Sequence, residues 1–371
     1  MDRPSPQATP AADRARVVAI DSEIHELEEQ IRVLLLEQEA CHQRLDVYKY
    51  PVLTLPNEIT SEIFMHFLPP YPTCPRLAGP NSPTSLTYIC RQWREIALAT
   101  PKLWRAFCTV YTYSETEPAR VAQTWLERSG SCPLSIYMGS SDKECFLALL
   151  LHRERWRHVQ LDLAAEDVAL IKGPMPLLES LSLNVDDIEY THPATTVDDF
   201  PRLRAVTLDV ADHGKWLPIS QLTNLTYEEG DHADYYLPLL HGAANLVRLN
   251  LIDCSTDIPL ESSVILERLE TLVLLKTYSW EGDASQIFET FTLPVLHTLH
   301  ISGALLGTDP INSLNLVVAR SGCKLQAVLV AGKCGSWEES FHAAFPSIPD
   351  IAFDSQYNWY SEERRGNRDA F

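Results

Sequence analysis

The sequence predicts an α/β protein in which a helical N-terminal part precedes a long series of short parallel strands. Two observations carry this prediction. Apolar residues recur at alternating intervals of three and four over the first fifty residues, a spacing that is typical of helices. The pattern L-x-x-L-x-L then recurs nine times, at intervals of 19 to 29 residues, through the rest of the chain. Recurrence at this length is typical of stacked strand-containing repeats.

Composition limits the class of protein and the partners it can bind. The chain has 371 residues, of which 45% are hydrophobic and 22% charged, so it can bury a large core. Its formal net charge of -20 argues against binding to nucleic acid or to an anionic membrane surface, because both require Lys and Arg. We therefore predict no nucleic acid partner. No apolar run reaches the length of a membrane helix, and the first residues lack the apolar segment of a signal peptide, so no membrane partner is predicted.

Cysteine usage and the absence of catalytic motifs point to a non-enzymatic intracellular protein. The nine cysteines are scattered and never form C-x-x-C, which favours a reducing compartment, cytoplasmic or nuclear. H-E-x-x-H, G-x-S-x-G and G-x-x-x-x-G-K are missing from the sequence. We predict no catalytic residue, no metal and no cofactor.

The N-terminal segment predicts a disordered tail over residues 1–13 and a heptad helix over 14–48. The inner heptad positions are Val17, Ile20, Ile24, Leu27, Ile31, Leu34, Gln38, Cys41 and Leu45. Two arrangements are compatible with this spacing. The helix either folds back on its own domain or pairs with a second copy, giving a homodimer through residues 17–45.

Residues 52–107 predict a second domain of short helices. Pro56 suits the first turn of a helix, and Ile59, Ile63 and Phe64 then share one apolar face. A proline-rich loop over 69–83 excludes regular structure. It precedes a second helix with an apolar face, whose residues are Ile89, Trp93, Ile96 and Ala97.

These residues resemble an F-box. The matching stretches are Leu-Pro-Asn-Glu-Ile at 55–59, Ile-Cys-Arg-Gln-Trp-Arg at 89–94 and Leu-Trp at 103–104. The order of a helical arm, the box and Trp-Leu-Glu-Arg-Ser-Gly at 125–130 is similar to F-box-like proteins of fungi. The proline-rich loop at 69–83 departs from the family by its length.

The resemblance implies a substrate-recognition subunit of an SCF-type cullin-RING ubiquitin ligase, which has no catalytic activity of its own. Its partners would be the Skp-type adaptor and the cullin of that ligase. The residues implied for adaptor binding are Leu55, Pro56, Ile59, Ile63, Phe64, Ile89, Trp93, Leu103 and Trp104. Two alternatives stay open: a helical hairpin whose apolar face is its own core, and a ligase-independent interaction scaffold.

Residues 119–355 predict an irregular leucine-rich-repeat solenoid with parallel strands on its concave face, followed by a tail over 356–371. A mixed α/β domain with Leu-rich strands is the alternative. The first positions of the nine repeats are Trp156, Leu178, Leu203, Leu222, Leu246, Leu269, Leu296, Leu325 and Ile348. Residues 119–128 predict a helix, 133–138 a strand and 146–153 another helix.

The residues between the anchoring positions of each repeat predict a target-binding face, because side chains alternate across a strand. We expect an acidic first half that attracts a basic segment of an unknown protein target and an apolar second half that supplies contact area. A solvated acidic face without a ligand is the alternative. The predicted target-binding residues are Asp162, Asn184, Asp209, Glu228, Asn250, Ile252, Val273, Leu275 and His300.

Overall fold

The computed structural model describes residues 10–47, 51–69, 73–109, 118–139, 142–185, 197–209, 216–228, 233–255, 263–276, 285–332 and 338–355. The chain divides into two compact units, Met1–Thr60 and Ser61–Phe371. This division falls inside the segment 52–107 that the sequence predicts as one domain. In the described part of the chain, every helix is too short or too polar to cross a membrane.

The first unit contains the predicted heptad helix. Helix α1 (Pro10–Val47) has 38 residues and is followed by a 3₁₀ helix over Pro51–Thr54. It begins four residues before the predicted start at 14, so part of the predicted tail is helical. Pro10 suits the first position of a helix, and the alanines that follow it have the highest helix propensity. Residues 1–9 lie outside the described residues.

The helices of the predicted box are short. Helix α2 (Asn57–Met65) crosses the division between the units, and α3 (Arg91–Leu98) lies in the second unit. Two 3₁₀ helices, Pro83–Tyr88 and Pro101–Trp104, flank α3. The all-helical prediction for 52–107 is wrong at its end, where Ala106–Cys108 forms a strand. That strand depends on pairing with Leu134–Met138, and the residues around 106–108 do not themselves indicate this pairing with a distant segment.

The second unit is built on a large parallel sheet. Its eleven strands follow one another in chain order, and every neighbouring pair is parallel. Two further strands, β8 and β10, pair separately. The strands are β1 (Ala106–Cys108), β2 (Leu134–Met138), β3 (Trp156–Leu163), β4 (Ser180–Val185), β5 (Ala205–Asp209), β6 (Asn224–Glu228), β7 (Arg248–Ile252), β8 (Val264–Ile265), β9 (Thr271–Leu275), β10 (Phe291–Thr292), β11 (Thr298–Ser302), β12 (Ala327–Ala331) and β13 (Asp350–Asp354).

Short helices connect several of these strands. Parallel strands require crossover connections, which these helices and irregular segments supply. The predicted helix at 119–128, strand at 133–138 and helix at 146–153 are confirmed as α4, β2 and α5. The helices are α4 (Pro118–Arg128), α5 (Lys143–Leu150), α6 (Ala165–Val168), α7 (Ala233–Gly242), α8 (Ser285–Thr290), α9 (Pro310–Ser321) and α10 (Glu338–Ala344).

Each of the nine predicted L-x-x-L-x-L units contains a strand of the sheet. The last two anchors of a unit bury on one face of the strand, as Leu181 and Leu183 do in β4 and Leu249 and Leu251 do in β7. The alternation arises because successive side chains of a strand point to opposite faces. The main core therefore runs along one face of the whole sheet.

A repeated hydrogen-bond pattern joins the units ahead of the strands. The carbonyl of Glu179 accepts the N–H groups of Arg204 and Ala205, and the carbonyl of Arg204 accepts those of Thr223 and Asn224. The same pairing continues from the carbonyls of residues 223, 247, 270 and 297. Successive units are thus joined at equivalent backbone positions, which keeps the strands of the main sheet from β4 to β12 in one register.

Aromatic side chains join the helices around α3 to the first strands. The indole N–H of Trp104 donates to the carbonyl of Ala97 at 2.9 Å. The Trp104 ring lies edge-on to Trp125 of α4 at 5.1 Å, and Phe107 of β1 contacts the same indole at 5.8 Å. All three rings are fully buried. The 3₁₀ helix 101–104, β1 and α4 therefore share one core.

The first prediction concerns this aromatic core. Trp104→Ala should lower the free energy of unfolding by about 3–5 kcal/mol, because it leaves a large cavity and removes the hydrogen bond from the indole to the Ala97 carbonyl. Urea denaturation followed by circular dichroism measures the change. Leu151, which is 80% exposed, is the control, and Leu151→Ala should stay within about 0.5 kcal/mol of the wild type. Equal stability of the two variants would contradict the packing described.

Candidate functional site

Helix α2 presents two apolar side chains to solvent. Ile59 is 50% exposed and Ile63 is 49% exposed. They are four residues apart on one helix, so they lie on the same face. We call this pair the α2 face. Phe64 points the other way, is 2% exposed, and meets the ring of Trp93 edge-on at 4.9 Å. One side of the helix is thus held by core packing while the other stays open.

The residues just before α2 are joined to its first turn by hydrogen bonds. The carbonyl of Pro56 accepts hydrogen bonds from the N–H of Thr60 at 3.0 Å and from its hydroxyl at 3.2 Å. Pro56 is exposed and Leu55 is half-buried. The structure confirms the predicted helix start, since a proline there forfeits no helical hydrogen bond. Both residues retain solvent-accessible apolar surface beside the start of the helix.

A second exposed apolar group precedes α3. Tyr88 is 79% exposed and Ile89 is 59% exposed. The prediction that Ile89 lies on the second helix is wrong, because α3 begins at Arg91, where the Sγ of Cys90 caps it by accepting the N–H of Trp93 at 3.5 Å. Sequence reasoning missed Tyr88, although its place beside Ile89 could have indicated it.

Several predicted adaptor-binding residues are not accessible. Phe64, Leu103 and Trp104 are buried in the main core, and Trp93 is half-buried against it. The guanidinium of Arg128 further covers the Trp104 ring at 4.6 Å. These side chains are large and apolar and belong to or pack against the main core, so they fill the protein's own interior. The predicted set is thereby reduced to Leu55, Pro56, Ile59, Ile63 and Ile89, with part of Trp93.

The described part of the proline-rich loop packs against the sheet. The carbonyl of Pro75 accepts the N–H of Cys108 at 2.8 Å, and Arg76 forms an isolated bridge to the same strand residue. Leu77 is buried, and burial raises the pKa of the Cys74 thiol to about 12. The length of the proline-rich loop therefore allows it to reach the edge of β1. Residues 70–72 lie outside the described residues.

The strand register places the predicted target-binding residues in two rows, as the sequence predicts. Paired residues of neighbouring parallel strands lie side by side on one face of a sheet. The first row runs through Gln160, Ser182, Thr207, Thr226, Asn250, Val273, His300 and Leu329. The second row runs through Asp162, Asn184, Asp209, Glu228, Ile252 and Leu275.

The first half of the second row is polar and accessible. Asn184 is exposed, and Asp162 and Glu228 are half-buried. Asp209 is in register between Asn184 and Glu228. We call Asp162, Asn184, Asp209 and Glu228 the acidic row. The carboxylates of Asp162 and Glu228 give this part of the sheet a negative potential that attracts cations.

The second half of the face is buried. Ile252, Val273 and Leu275 pack with Ala331 in an apolar cluster separate from the main core, and all four are at most 5% exposed. Ile252, Val273 and Leu275, which the sequence predicts to contact a target, are therefore covered within this chain. Neighbouring strands bring these side chains side by side, where they pack against one another and bury their apolar surface.

Asn250 is also buried, between the acidic row and the apolar cluster. Its side-chain amide donates to the Thr226 hydroxyl at 2.8 Å, and its Oδ1 accepts from Arg248 at 3.3 Å. Both ends of the amide are thus occupied within the sheet. The hydrogen bonds of Asn250, which the sequence predicts to bind a target, therefore serve the fold.

Two histidines of the sheet are held in the neutral form. Burial is the main cause that lowers the pKa of His300 to about 4, and nearby Arg248 lowers it further. Burial also lowers the pKa of His158 to about 4, with Arg157 and Arg105 adding to the shift and Glu179 opposing it. His300 is half-buried, so it contributes only part of its ring to the face predicted for target binding.

The described side chains offer no constellation for metal binding. Groups of three or more His, Cys, Asp or Glu that could hold an ion are absent among these residues.

No protein-family model matches this sequence, and no curated protein shows a significant match to it.

The second prediction concerns pH. The two histidines titrate near 6.5 when unfolded and near 4 when folded, so the unfolded chain binds more protons between these values. Stability should therefore be complete above pH 6.5 and fall as the pH drops toward 4. Urea midpoints measured from pH 7 to pH 4.5 test this. His158→Gln/His300→Gln should reduce proton uptake on unfolding near pH 5 by about two protons.

The exposed His342 supplies the control for the pH series. His342→Gln should retain the wild-type dependence of the urea midpoint on pH. If the double variant instead keeps the full wild-type dependence, the two buried histidines are not its source.

Proposed function

We propose that this protein is a substrate-recognition subunit of an SCF-type cullin-RING ubiquitin ligase. Its F-box would bind the Skp-type adaptor through the α2 face, and its repeats would bind a protein target. The observation that carries the proposal is the solvent exposure of Ile59 and Ile63 directly after the Leu55-Pro56 turn. Large apolar side chains left open in a group are typical of a surface that another protein covers.

The packing of α2 supports this role. Phe64 packs against Trp93, so the part of α2 that carries Ile63 is held in place before any partner binds. A preorganised apolar face loses little conformational entropy on association. Tyr88 and Ile89 add exposed aromatic and aliphatic surface of the kind found at interface hot spots.

We also propose that residues 119–355 form an irregular leucine-rich-repeat solenoid. In support, consecutive strands pair only with their chain neighbours in the eleven-stranded sheet, and equivalent carbonyls receive each following unit. Repeats of this kind cover one another's apolar edges and cannot bury them alone. The shared core of Trp104, Trp125 and Phe107 would transmit the position of the box helices around α3 to the repeats.

The acidic row is the proposed target site. Asp162, Asp209 and Glu228 stand on strands that are close in register, and a chain with a net charge of -20 attracts positive segments from a distance. A target segment rich in Lys or Arg would match this surface. The buried cluster around Val273 makes no contribution to the proposed contact, which is therefore mainly electrostatic and sensitive to salt.

The proposed subunit would act without chemistry of its own. Holding a target beside a ubiquitin-transfer module raises the effective concentration of the reacting groups. A ligase-independent scaffold would use the same sheet but would not need the α2 face.

The third prediction tests the adaptor. Ile59→Ala/Ile63→Ala should weaken co-purification with a Skp-type adaptor at least tenfold, because truncating hot-spot side chains removes most of the interface energy. Ile265→Ala/Val295→Ala removes similar apolar surface from residues that are 61% and 45% exposed, and should bind like the wild type. Adaptor binding that survives in the first variant, or is missing in the wild type, favours the scaffold function.

The fourth prediction tests the target site. Asp162→Lys/Glu228→Lys should lower the yield of captured basic proteins about tenfold at 0.05 M salt, with a smaller difference at 0.5 M, because exposed charges are screened. Affinity purification with quantitative mass spectrometry measures this. Glu267→Lys/Glu289→Lys makes the same charge change at exposed positions off the row. An identical loss in both variants would show that net charge alone, and not the acidic row, governs capture.

A further inference from the structure

The inner heptad positions of α1 are exposed. Ile24, Leu27, Ile31 and Leu34 are each 48–62% exposed in the structure. We call the nine inner positions from Val17 to Leu45 the α1 seam. It spans four full heptads of a 38-residue helix, a length of roughly 57 Å for the whole helix. Most helix stability in proteins comes from packing an amphipathic face, so a seam of this length needs an apolar partner.

The residue types of the seam specify how many helices it joins. In a heptad labelled a to g, the a positions include Val17, Ile24 and Ile31 besides Gln38 and Leu45, and the d positions include Leu27 and Leu34. β-branched residues at a with Leu at d favour two parallel strands. The seam therefore fits a second copy of itself better than the surface of an unrelated protein.

Gln38 fixes the register and the direction. In a parallel pair without offset, Gln38 faces Gln38 of the other copy, and the two amides can hydrogen-bond. In an antiparallel pair that overlaps residues 20–45, Gln38 would face Leu27 and leave its amide unpaired in an apolar layer. An unpaired buried amide is destabilising, so the antiparallel pairing is disfavoured.

Flanking charges partly support the same arrangement. In a parallel pair, g residues lie near e residues of the next heptad in the other helix. This brings Arg16 near Asp21 and Glu37 near His42, while Glu23 and Glu28 repel each other. The pairs of opposite and of like full charge are thus one each, Arg16 with Asp21 and Glu23 with Glu28. Exposed pairs of this kind are worth little individually, so the apolar layers supply the affinity.

We propose that residues 17–45 of two copies form a parallel, in-register, two-stranded coiled coil. The proposal does not depend on the ligase function, because it rests on α1 alone. Such a pair would place two α2 faces and two acidic rows in one particle. Each copy would keep its own sheet.

Sedimentation equilibrium of the full-length protein tests the pairing. The wild type should have twice the mass of one chain at micromolar concentration. Ile24→Glu/Ile31→Glu places charges in the seam and should raise the dissociation constant at least ~100-fold, because unpaired charges are costly to bury. Val18→Glu/Val33→Glu, at outer positions that are 69% and 53% exposed, should remain dimeric.

Circular dichroism of the seam variant should show that the sheet unit is still folded, since α1 belongs to the other unit. A wild type that stays monomeric at tens of micromolar overturns the proposal. So does a seam variant that dimerises as well as the outer control.

Cys41 reports the direction of the helices. It occupies a d position and is half-buried, with its Sγ accepting a hydrogen bond from Arg44 at 3.1 Å. In the proposed pair it lies opposite Cys41 of the other copy, at the short separation that a disulfide requires. Oxidised glutathione should then produce a covalent dimer on a non-reducing gel, and Cys41→Ser should abolish it. A dimer that gives no cross-link through Cys41 overturns the parallel arrangement.

Discussion

The structure depends on the stacking of parallel strands that cannot bury their apolar edges alone. Leu181 and Leu183 illustrate this, since they are covered only where neighbouring strands extend the same face. The carbonyls of Glu179, Arg204 and their equivalents keep this stacking in one register. Because the register is uniform, residues that are distant in sequence become side-by-side neighbours. The acidic row exists for that reason, and so does the apolar cluster around Val273.

The same stacking begins at an aromatic core shared with the helices around α3. Trp125 contacts both Trp104 and Phe107, so α4, the 3₁₀ helix before β1 and β1 itself form one packed unit. The helices around α3 and the first strands of the sheet are therefore held together by one packed core.

Much of the sheet follows from the sequence, because period-two alternation and regular spacing specify both the strands and their pairing. The two rows are predicted for this reason. Burial of Ile252 and Leu275 is not, since alternation assigns a side chain to a face without saying what covers that face. Similarly, Ile63 and Phe64 are adjacent and both apolar, and only the distant Trp93 decides which of them turns inward. Strand β1 is not predicted, because three residues are too few to show the alternation of apolar and polar side chains that is typical of a strand.

The attachment of the proline-rich loop to β1 has a consequence for solubility. A terminal strand carries unpaired backbone groups onto which another molecule can add a strand, starting edge-to-edge aggregation. The contacts of Pro75 and Arg76 with Cys108 occupy this position on β1. Proline also lacks the N–H donor that a ladder would need to continue outward. The loop therefore acts as a cap that stops polymerisation at this end of the sheet.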